Sequence, residues 1–260
     1  MSLKPQAGYE ATLRQAADWL VAGGEFPIDV LRVCAKLGVA VGRSATVPER
    51  KAKIVSSDSG ARILLGPGRL ADTLELTGWD RFLIAHELGH LILYKEHNAK
   101  PLGESEYWKH ERLCDSFAHW LLIPACKAHE AAAVREPTAS ARLAASCGLE
   151  RSGRVPWPVA ASAISEVDEN VVFFKVADLD KPHLRVRFST LSNKKGIHTK
   201  VDRASPAGKA LLAIPLRNPI QEVNCSFIRD LLWSKAQSCA AVRFGDPEIR
   251  VAVTCLSTPQ

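Results

Sequence analysis

The residues most able to do chemistry in this chain are His86, Glu87 and His90, which lie within an apolar stretch from 82 to 94. Histidines four positions apart project from the same face of an α-helix, so their imidazoles can converge on one metal ion. Glu87 lies on the neighbouring face, from which a carboxylate can reach a water molecule at the metal without being a ligand. The pattern predicts the zinc-binding helix of a metallohydrolase, with Glu87 as general base.

Gly89 stands between the two histidines. A glycine in a helix interior costs about 1 kcal/mol relative to alanine, because its backbone loses more conformational freedom on folding. Its presence here predicts that another backbone, or the metal site itself, packs closely against the helix at this point.

A catalytic zinc site needs a third protein ligand and one open coordination position. The metzincin pattern, with glycine three and histidine six residues past the second histidine, is absent because Leu93 and Glu96 occupy those positions. The polar segment after residue 95 predicts a loop, and a second helix follows it. Glu111 in this helix is the preferred third ligand.

The second helix begins near residue 104 and should end before Pro124. Asp115 lies one turn beyond Glu111, on the same face. It is the preferred outer-shell partner, accepting the second N–H of a ligating histidine and so fixing its tautomer. Three side chains of this helix remain alternative metal ligands, or else ordinary surface groups: His110, Asp115 and His119.

Two blocks of sequence resemble the ImmA/IrrE family of zinc metallopeptidases. They are Arg81-Phe82-x-x-Ala85-His86-Glu87-Leu88-Gly89-His90 and Glu111-x-x-x-Asp115-x-Phe117-Ala118-x-x-Leu121-Leu122-x-Pro124. The resemblance covers residues 26–124 and implies a zincin-like peptidase with one Zn²⁺ per chain. It implies that His86, His90 and Glu111 bind the metal and that Glu87 is the catalytic base.

Cys114 departs from the family, whose members more often have Ala-Asn where this chain has Cys114-Asp115. At three positions beyond Glu111, a thiolate could reach the open coordination position and hold the enzyme latent. We therefore state an inhibitory role for Cys114 as a hypothesis.

Composition agrees with a cytoplasmic protein. The 260 residues carry a formal net charge of +6 and are enough for two modest cores. The sequence begins without the apolar run of a signal peptide and has no stretch of membrane-spanning length. Its seven cysteines are odd in number and form no C-x-x-C pair, which predicts reduced and mostly buried thiols.

The hydrophobic spacing predicts an α+β chain in three parts: a metallopeptidase domain at 1–130, a helical connector at 131–167 and a sensor domain at 168–260. The first part should contain two helices, at about 10–22 and 27–37, and a hairpin of strands at 53–56 and 61–65, before the metal helix. A strand beside such a cleft could bind an extended peptide by strand addition, or could simply cover the core.

The connector should contain helices at 139–149 and 159–164. Its segment 143–149 is similar to a remnant of a helix-turn-helix, and plain helical packing is an equal alternative. Beyond residue 168 the pattern alternates with period two. The predicted elements of this last part are strands at 171–176, 184–188, 239–244 and 249–253 and helices at 207–213 and 227–232. In order and size the part is similar to the GAF-like sensor domain of IrrE-type proteins.

Basic residues concentrate at the start of the last part, where only Asp202 opposes them between positions 181 and 209. Such a charge excess attracts polyanions, and a single-stranded nucleic acid is a plausible ligand or signal. A solvated sheet face, or a sheet edge protected by charge, is the alternative. The candidate residues are Lys181, Arg185, Arg187, Lys194, Lys195, Lys200 and Arg203.

The family resemblance implies an endopeptidase that cleaves a partner repressor of the helix-turn-helix type in response to a signal such as single-stranded DNA or DNA damage. Within the family, the layout is similar both to IrrE-like stress regulators and to the peptidases paired with a repressor in CBASS anti-phage operons. A non-proteolytic DNA-binding or ligand-sensing regulator with a structural zinc is the alternative function, and it leaves Glu87 unexplained.

Overall fold

The computed structural model describes residues 5–57, 60–68, 76–97, 103–134, 138–180, 183–190, 200–214, 220–223, 236–245 and 248–255. The helices are α1 (Pro5–Val21), α2 (Val30–Lys36), α3 (Gly78–His97), α4 (Glu104–Leu122), α5 (Ala125–Ala132), α6 (Ala139–Gly153), α7 (Trp157–Val167) and α8 (Pro206–Leu212). The strands are β1 (Val39–Arg43), β2 (Ala52–Ser57), β3 (Gly60–Leu65), β4 (Val171–Asp180), β5 (His183–Ser189), β6 (Lys200–Asp202), β7 (Gln221–Val223), β8 (Ala236–Gly245) and β9 (Glu248–Cys255).

The mixed α+β content agrees with the prediction, and each predicted helix or strand that falls on described residues is present. The predicted helix at 227–232 lies outside the described residues. Four elements were not predicted: β1, α5, β6 and β7. Each is eight residues or shorter, too short to establish a hydrophobic period on its own.

The chain divides into two compact units. Unit 1 consists of Met1–Ala125 and Glu150–Val159, and unit 2 consists of Cys126–Leu149 and Ala160–Gln260. The segment expected to be a separate connector is therefore shared between the two units.

A three-stranded sheet of unit 1 has the order β1-β3-β2. The predicted hairpin is the antiparallel pair β2 and β3, in which Ile54 lies opposite Ile63. The unpredicted β1 pairs with β3 in parallel. This arrangement makes β2 an outer strand of the described sheet.

The helical layer of unit 1 is built on α3 and α4, with α1 packed against both. Leu88 and Phe117 are fully buried at 0% exposure, as are Leu13 of α1 and Leu121 of α4. Ile123 has an extended backbone, and its N–H donates to the His119 carbonyl at 2.9 Å as α4 ends before Pro124. Apolar burial on one face of each helix thus fixes which side chains face away from the core.

Unit 2 contains a six-stranded sheet of order β6-β5-β4-β9-β8-β7, and its neighbouring strands are antiparallel. One face forms an apolar core with α8, because alternate residues of each strand point the same way. The residues of this core include Val172, Phe174, Val176, Leu184, Val186, Val201, Leu211, Ile249, Val251 and Val253.

Residues 143–149 belong to the continuous helix α6, and the following helix α7 is apolar, with Trp157, Ala160 and Ile164 almost fully buried. The helix-turn-helix-like unit and plain helical packing both stay predictions for this segment. No helix of the described part is both long and apolar enough to span a membrane.

Candidate metal centre

A capping box fixes the start of the predicted metal helix α3. Thr77 donates from its N–H and its hydroxyl to Asp80 Oδ2, both at 2.9 Å, and the Asp80 N–H donates back to the Thr77 hydroxyl at 3.1 Å. Arg43, at the end of β1, lies 3.1 Å from Asp80 Oδ2. Burial opposes ionisation of Asp80, but the bonds from Arg43 and Thr77 hold its pKa below the ordinary value.

Gly89 lets α4 approach α3 closely, as its position between the histidines predicted. A Cβ placed on Gly89 would lie 3.1 Å from Cys114 Cα and 3.2 Å from both Cys114 Cβ and Sγ. Those separations are shorter than ordinary van der Waals contact, so a larger residue would force the two helices apart. Close packing at this point brings the side chains of α4 to the two histidines.

His86, His90 and Glu111 converge on one point, each offering one potential ligand atom, with all three atoms within 4.8 Å of one another. The two histidine Nε2 atoms are 3.1 Å apart. Glu111 Oε2 lies 3.4 Å from His86 Nε2, and Glu111 Oε1 lies 3.3 Å from His90 Nε2. The three side chains are 12%, 28% and 25% exposed, so the group is partly exposed to solvent.

The donor set fits zinc. Ligand distances of 2.0–2.2 Å place neighbouring donors of a tetrahedral ion about 3.3–3.6 Å apart, and the separations found here are 3.1–3.4 Å. Two imidazoles and one carboxylate are also the protein ligands of several catalytic zinc sites, which keep a fourth position open.

Asp115, the residue proposed as an outer-shell partner, lies beside His86. His86 Nδ1 lies 2.9 Å from Asp115 Oδ1, which leaves Nε2 of the same ring facing Glu111. Burial opposes protonation of His86, but Asp115, Glu111 and Glu87 together raise its pKa. Burial and the neighbouring His86 lower the pKa of His90, favouring the neutral imidazole that binds metals.

Glu87 lies outside the three-residue group and beside β2. Its Oε2 accepts a hydrogen bond from the Ile54 N–H at 2.9 Å. Burial raises the pKa of Glu87 against the opposing effects of His86 and this hydrogen bond. A carboxylate with a raised pKa, held near the metal ligands without joining them, suits a general base.

The structure does not bring the other predicted candidates to the group. The ring of His110 packs edge to face against Tyr9, at 5.8 Å between centroids. His119 contacts Phe82, and burial lowers its pKa to about 4.

Cys114 is fully buried against Gly89, and burial raises the pKa of its thiol far above the ordinary value. The geometry gives no support to the latency hypothesis, because Cys114 Sγ is not among the converging ligand atoms and packs against Gly89. Cys114 packs the two helices together instead. Among the described cysteines, Cys34, Cys147 and Cys239 likewise form no disulfide and are buried, as predicted, whereas Cys126 forms no disulfide and is exposed.

Two contacts of the site were not anticipated from the sequence. One is the Ile54 N–H, which a sequence cannot reveal because every residue except proline carries this donor. The other is Tyr107, one helical turn before Glu111 on α4, where the negative charge of Glu111 raises the pKa of the phenol. Its position four residues before Glu111 was the signal that could have indicated it.

The candidate nucleic-acid residues are scattered over the start of the sheet in unit 2. Arg185 on β5 lies opposite Lys200 on β6, and Arg187 is exposed. Arg203 follows β6 and is partly buried. Lys181, Lys194 and Lys195 lie outside the described residues.

Comparison with known proteins supports the family suggested by the sequence. The model of the IrrE N-terminal-like domain, Peptidase_M78, matches residues 77–151, which include all the residues of the candidate centre except Ile54. A search of curated proteins found no match. Among solved structures, a Mycobacterium tuberculosis transcriptional regulator is similar in fold, with a TM-score of 0.55 and 13% identity over 97% of this chain and 81% of that chain.

Proposed function

We propose that this chain is a cytoplasmic zinc-dependent metalloendopeptidase that cleaves a partner transcriptional repressor of the helix-turn-helix type. The observation that carries the proposal is the convergence of His86, His90 and Glu111, with Glu87 held beside them and outside the group. A structural zinc would account for three ligands but not for the separate carboxylate. The match to a peptidase family over residues 77–151 supports the same activity.

Each residue of the centre has one part in the proposed reaction. A zinc ion held by His86, His90 and Glu111 would supply Lewis acidity, which lowers the pKa of a water molecule and polarises the scissile carbonyl. Glu87 accepts the proton of the attacking water and then delivers it to the nitrogen of the leaving peptide. The Ile54 N–H restrains one oxygen of Glu87, so the other remains available for this transfer.

We place the substrate along β2. Ile54 lies opposite Ile63, yet its N–H donates to Glu87, so the backbone polar groups of Ile54 point away from β3. Ala52 and Ser56 share this orientation, because strand hydrogen bonding alternates. An extended segment of the repressor can therefore add to the outer side of β2 and pass the metal ligands.

Unit 2 is proposed to be a GAF-like sensor that permits cleavage when it binds a polyanion such as single-stranded DNA. The supporting observation is that Arg185 and Lys200 face each other across β5 and β6. Like charges directly opposite on neighbouring strands destabilise a sheet, and a bound anion would relieve that repulsion. Arg187, exposed on the same strand, adds to the positive charge.

The catalytic proposal is tested with the purified chain, zinc, and the product of the neighbouring gene as candidate repressor, with and without a short single-stranded DNA. The wild type should produce a cut product. Glu87→Gln should bind zinc normally but cut at least about 100-fold more slowly, because it cannot accept the proton. Glu104→Gln, an exposed residue in the first turn of α4, serves as the matched control and should cut normally.

Cutting by Glu87→Gln at the wild-type rate would overturn the assigned role of Glu87. A zinc-loaded wild type that leaves the repressor intact under both conditions would favour the non-proteolytic regulator instead.

The sensor proposal is tested by the salt dependence of binding to a fluorescent single-stranded DNA oligomer. Counterion release predicts that the affinity for DNA falls as salt is added. In a plot of log affinity against log salt concentration, Arg185→Ala should reduce the slope by about 1. Lys127→Ala, whose side chain pairs with Glu130 at 2.6 Å, should leave the slope unchanged. An affinity that does not change with salt concentration, or a slope in Arg185→Ala equal to that of the wild type, would contradict the proposal.

A further inference from the structure

A row of aromatic rings runs along α3 and ends at His86, one of the proposed zinc ligands. Trp79 packs edge to face on Phe82, with the ring centroids 5.7 Å apart. The ring of Phe82 in turn lies 6.2 Å from the ring of His86. These residues are three and four positions apart, a spacing that brings side chains together on the surface of a helix. The row therefore connects the first turn of α3 to the candidate metal centre.

Trp79 is the exposed end of this row. It is 48% exposed, whereas Phe82 is partly buried. Trp79 precedes His86 by seven positions and His90 by eleven, and both spacings return to nearly the same face of a helix. At 1.5 Å per residue, about 10 Å of helix axis separates Trp79 from His86. The indole thus lies on the helix face that holds the proposed zinc ligands.

Large apolar side chains are exposed mainly on the elements that form the centre. Among the described residues, the large hydrophobic side chains with high exposure are Trp19, Val55, Trp79, Tyr94, Tyr107 and Trp108. All of them except Trp19 lie on α3, α4 or β2. Apolar surface that stays exposed around a site marks a place where an apolar group of a partner binds.

The surroundings of Trp79 favour an apolar ligand over a basic one. The neighbouring carboxylate of Asp80 already accepts hydrogen bonds from Thr77 and lies 3.1 Å from the Arg43 guanidinium. A lysine or arginine of the substrate would therefore compete with Arg43 for that carboxylate. An apolar side chain needs no such partner and removes the exposed indole surface from water.

We propose that Trp79, backed by Phe82, forms a binding subsite for a large apolar side chain of the substrate. This inference rests on the proposed peptidase function and assigns a sequence preference to it. An extended peptide advances about 3.3 Å per residue, so the distance from His86 to Trp79 corresponds to about three residues. The segment of the repressor that is cleaved therefore carries leucine, methionine, phenylalanine or a similar residue within about three positions of the scissile bond.

The test incubates the purified chain, zinc and a short single-stranded DNA with a synthetic peptide library, and mass spectrometry identifies the cleaved bonds. The wild type should prefer a large apolar residue to alanine at one position near the bond by about tenfold in kcat/KM, since an apolar pocket discriminates by about 10- to 200-fold. Trp79→Ala should lose this preference but cut the alanine peptides at the wild-type rate. Trp79→Phe, which keeps an apolar ring, should retain most of the preference.

Trp19→Ala is the matched control, because it removes an exposed tryptophan from α1, which supplies none of the residues of the centre. It should keep the preference of the wild type. Zinc content and urea unfolding of Trp79→Ala should equal those of the wild type, since Trp79 is half exposed and is not a ligand. If the alanine variant does not fold, Trp79→Gln replaces it. Loss of zinc in both Trp79→Gln and Trp79→Phe would show a structural role of the indole and overturn the proposal.

Failure of the subsite can be distinguished from failure of the proposed function. A wild type that cuts peptides but prefers basic residues, or has no preference, overturns the subsite alone. The same holds if Trp79→Ala cuts with the wild-type preference. A wild type that cuts no more peptides than Glu87→Gln overturns the proposed peptidase function, and the subsite with it.

Discussion

The two units of this molecule differ in the partners of their buried polar side chains. In unit 2, the Arg142 guanidinium lies 2.6 Å from Asp168 Oδ2, with the side chains 10% and 11% exposed. The same guanidinium also donates to the Ala132 carbonyl. In unit 1, His86, His90 and Glu111 direct electron-pair donors toward one another. The first cluster pairs opposite charges within the chain, whereas the second has the arrangement of ligands that the proposed zinc ion would bind.

Because of this difference, we expect the first cluster to contribute to the stability of the fold and the second to contribute to metal binding. Removing a member of the complete cluster leaves a buried charge without its partner, and this should appear in unfolding. Removing a member of the converging cluster removes a proposed metal ligand, and this should appear in metal binding. Variants of the two clusters should therefore affect different measurements.

The largest expected effect on stability is that of Asp168→Ala. Loss of one partner of a buried ion pair costs about 3–5 kcal/mol of unfolding free energy, because the Arg142 charge remains buried. Urea unfolding measures this loss, with the exposed neighbour Glu169→Ala as control. Zinc affinity should not change. A loss below about 1 kcal/mol, or a large loss of zinc affinity, would remove the contrast between the clusters.

A smaller effect is expected where the two helices of the metal centre touch. Gly89→Ala and Gly148→Ala both gain about 1 kcal/mol of helix propensity. A Cβ at Gly148 would meet nothing within 4 Å, whereas one at Gly89 would press on Cys114. Gly89→Ala should therefore be less stable than Gly148→Ala by about 1–3 kcal/mol, as judged by urea unfolding.

Gly89→Ala should also bind zinc more weakly than the wild type, because Glu111 is displaced together with α4. Equal stability of the two alanine variants would show that the helices can separate at no cost, and would contradict the positioning role assigned to Gly89.

The smallest expected effect is the pH dependence of the stability that the capping box of Thr77 and Asp80 contributes. The pKa of Asp80 is lower in the folded chain than in the unfolded chain. Its contribution, about 1 kcal/mol for such a cap, is present above the unfolded pKa near 4 and is lost as the pH falls through the folded pKa. The stability difference between wild type and Asp80→Asn should be constant above pH 5 and shrink below about pH 4. A difference that grows on acidification would contradict the assignment.

The sequence indicated which side chains of the candidate centre lie together, but it did not indicate the short strands of the sheets. A helix places residues four apart on one face whatever surrounds it, so His86 and His90, and likewise Glu111 and Asp115, could be paired from spacing alone. The short strands β1 and β6 depend on partners distant in sequence, and neither has a local signal that identifies it.

Cys114 shows the limit of reasoning from spacing. Three positions beyond Glu111, it lies close to the centre along the sequence, but the helix turns it toward Gly89 instead. Helix packing decides whether a residue at this position faces the site or the core. Gly89 predicted that the two helices pack closely, but it did not show which residue of α4 would meet it.

The most direct test of the central claim is the zinc content of the purified chain, measured by elemental analysis after exhaustive dialysis. The account predicts one zinc ion per chain in the wild type and in Glu87→Gln, and almost none in Glu111→Gln or His86→Ala. A wild type without zinc, or a Glu111→Gln variant that keeps a full equivalent, would contradict it.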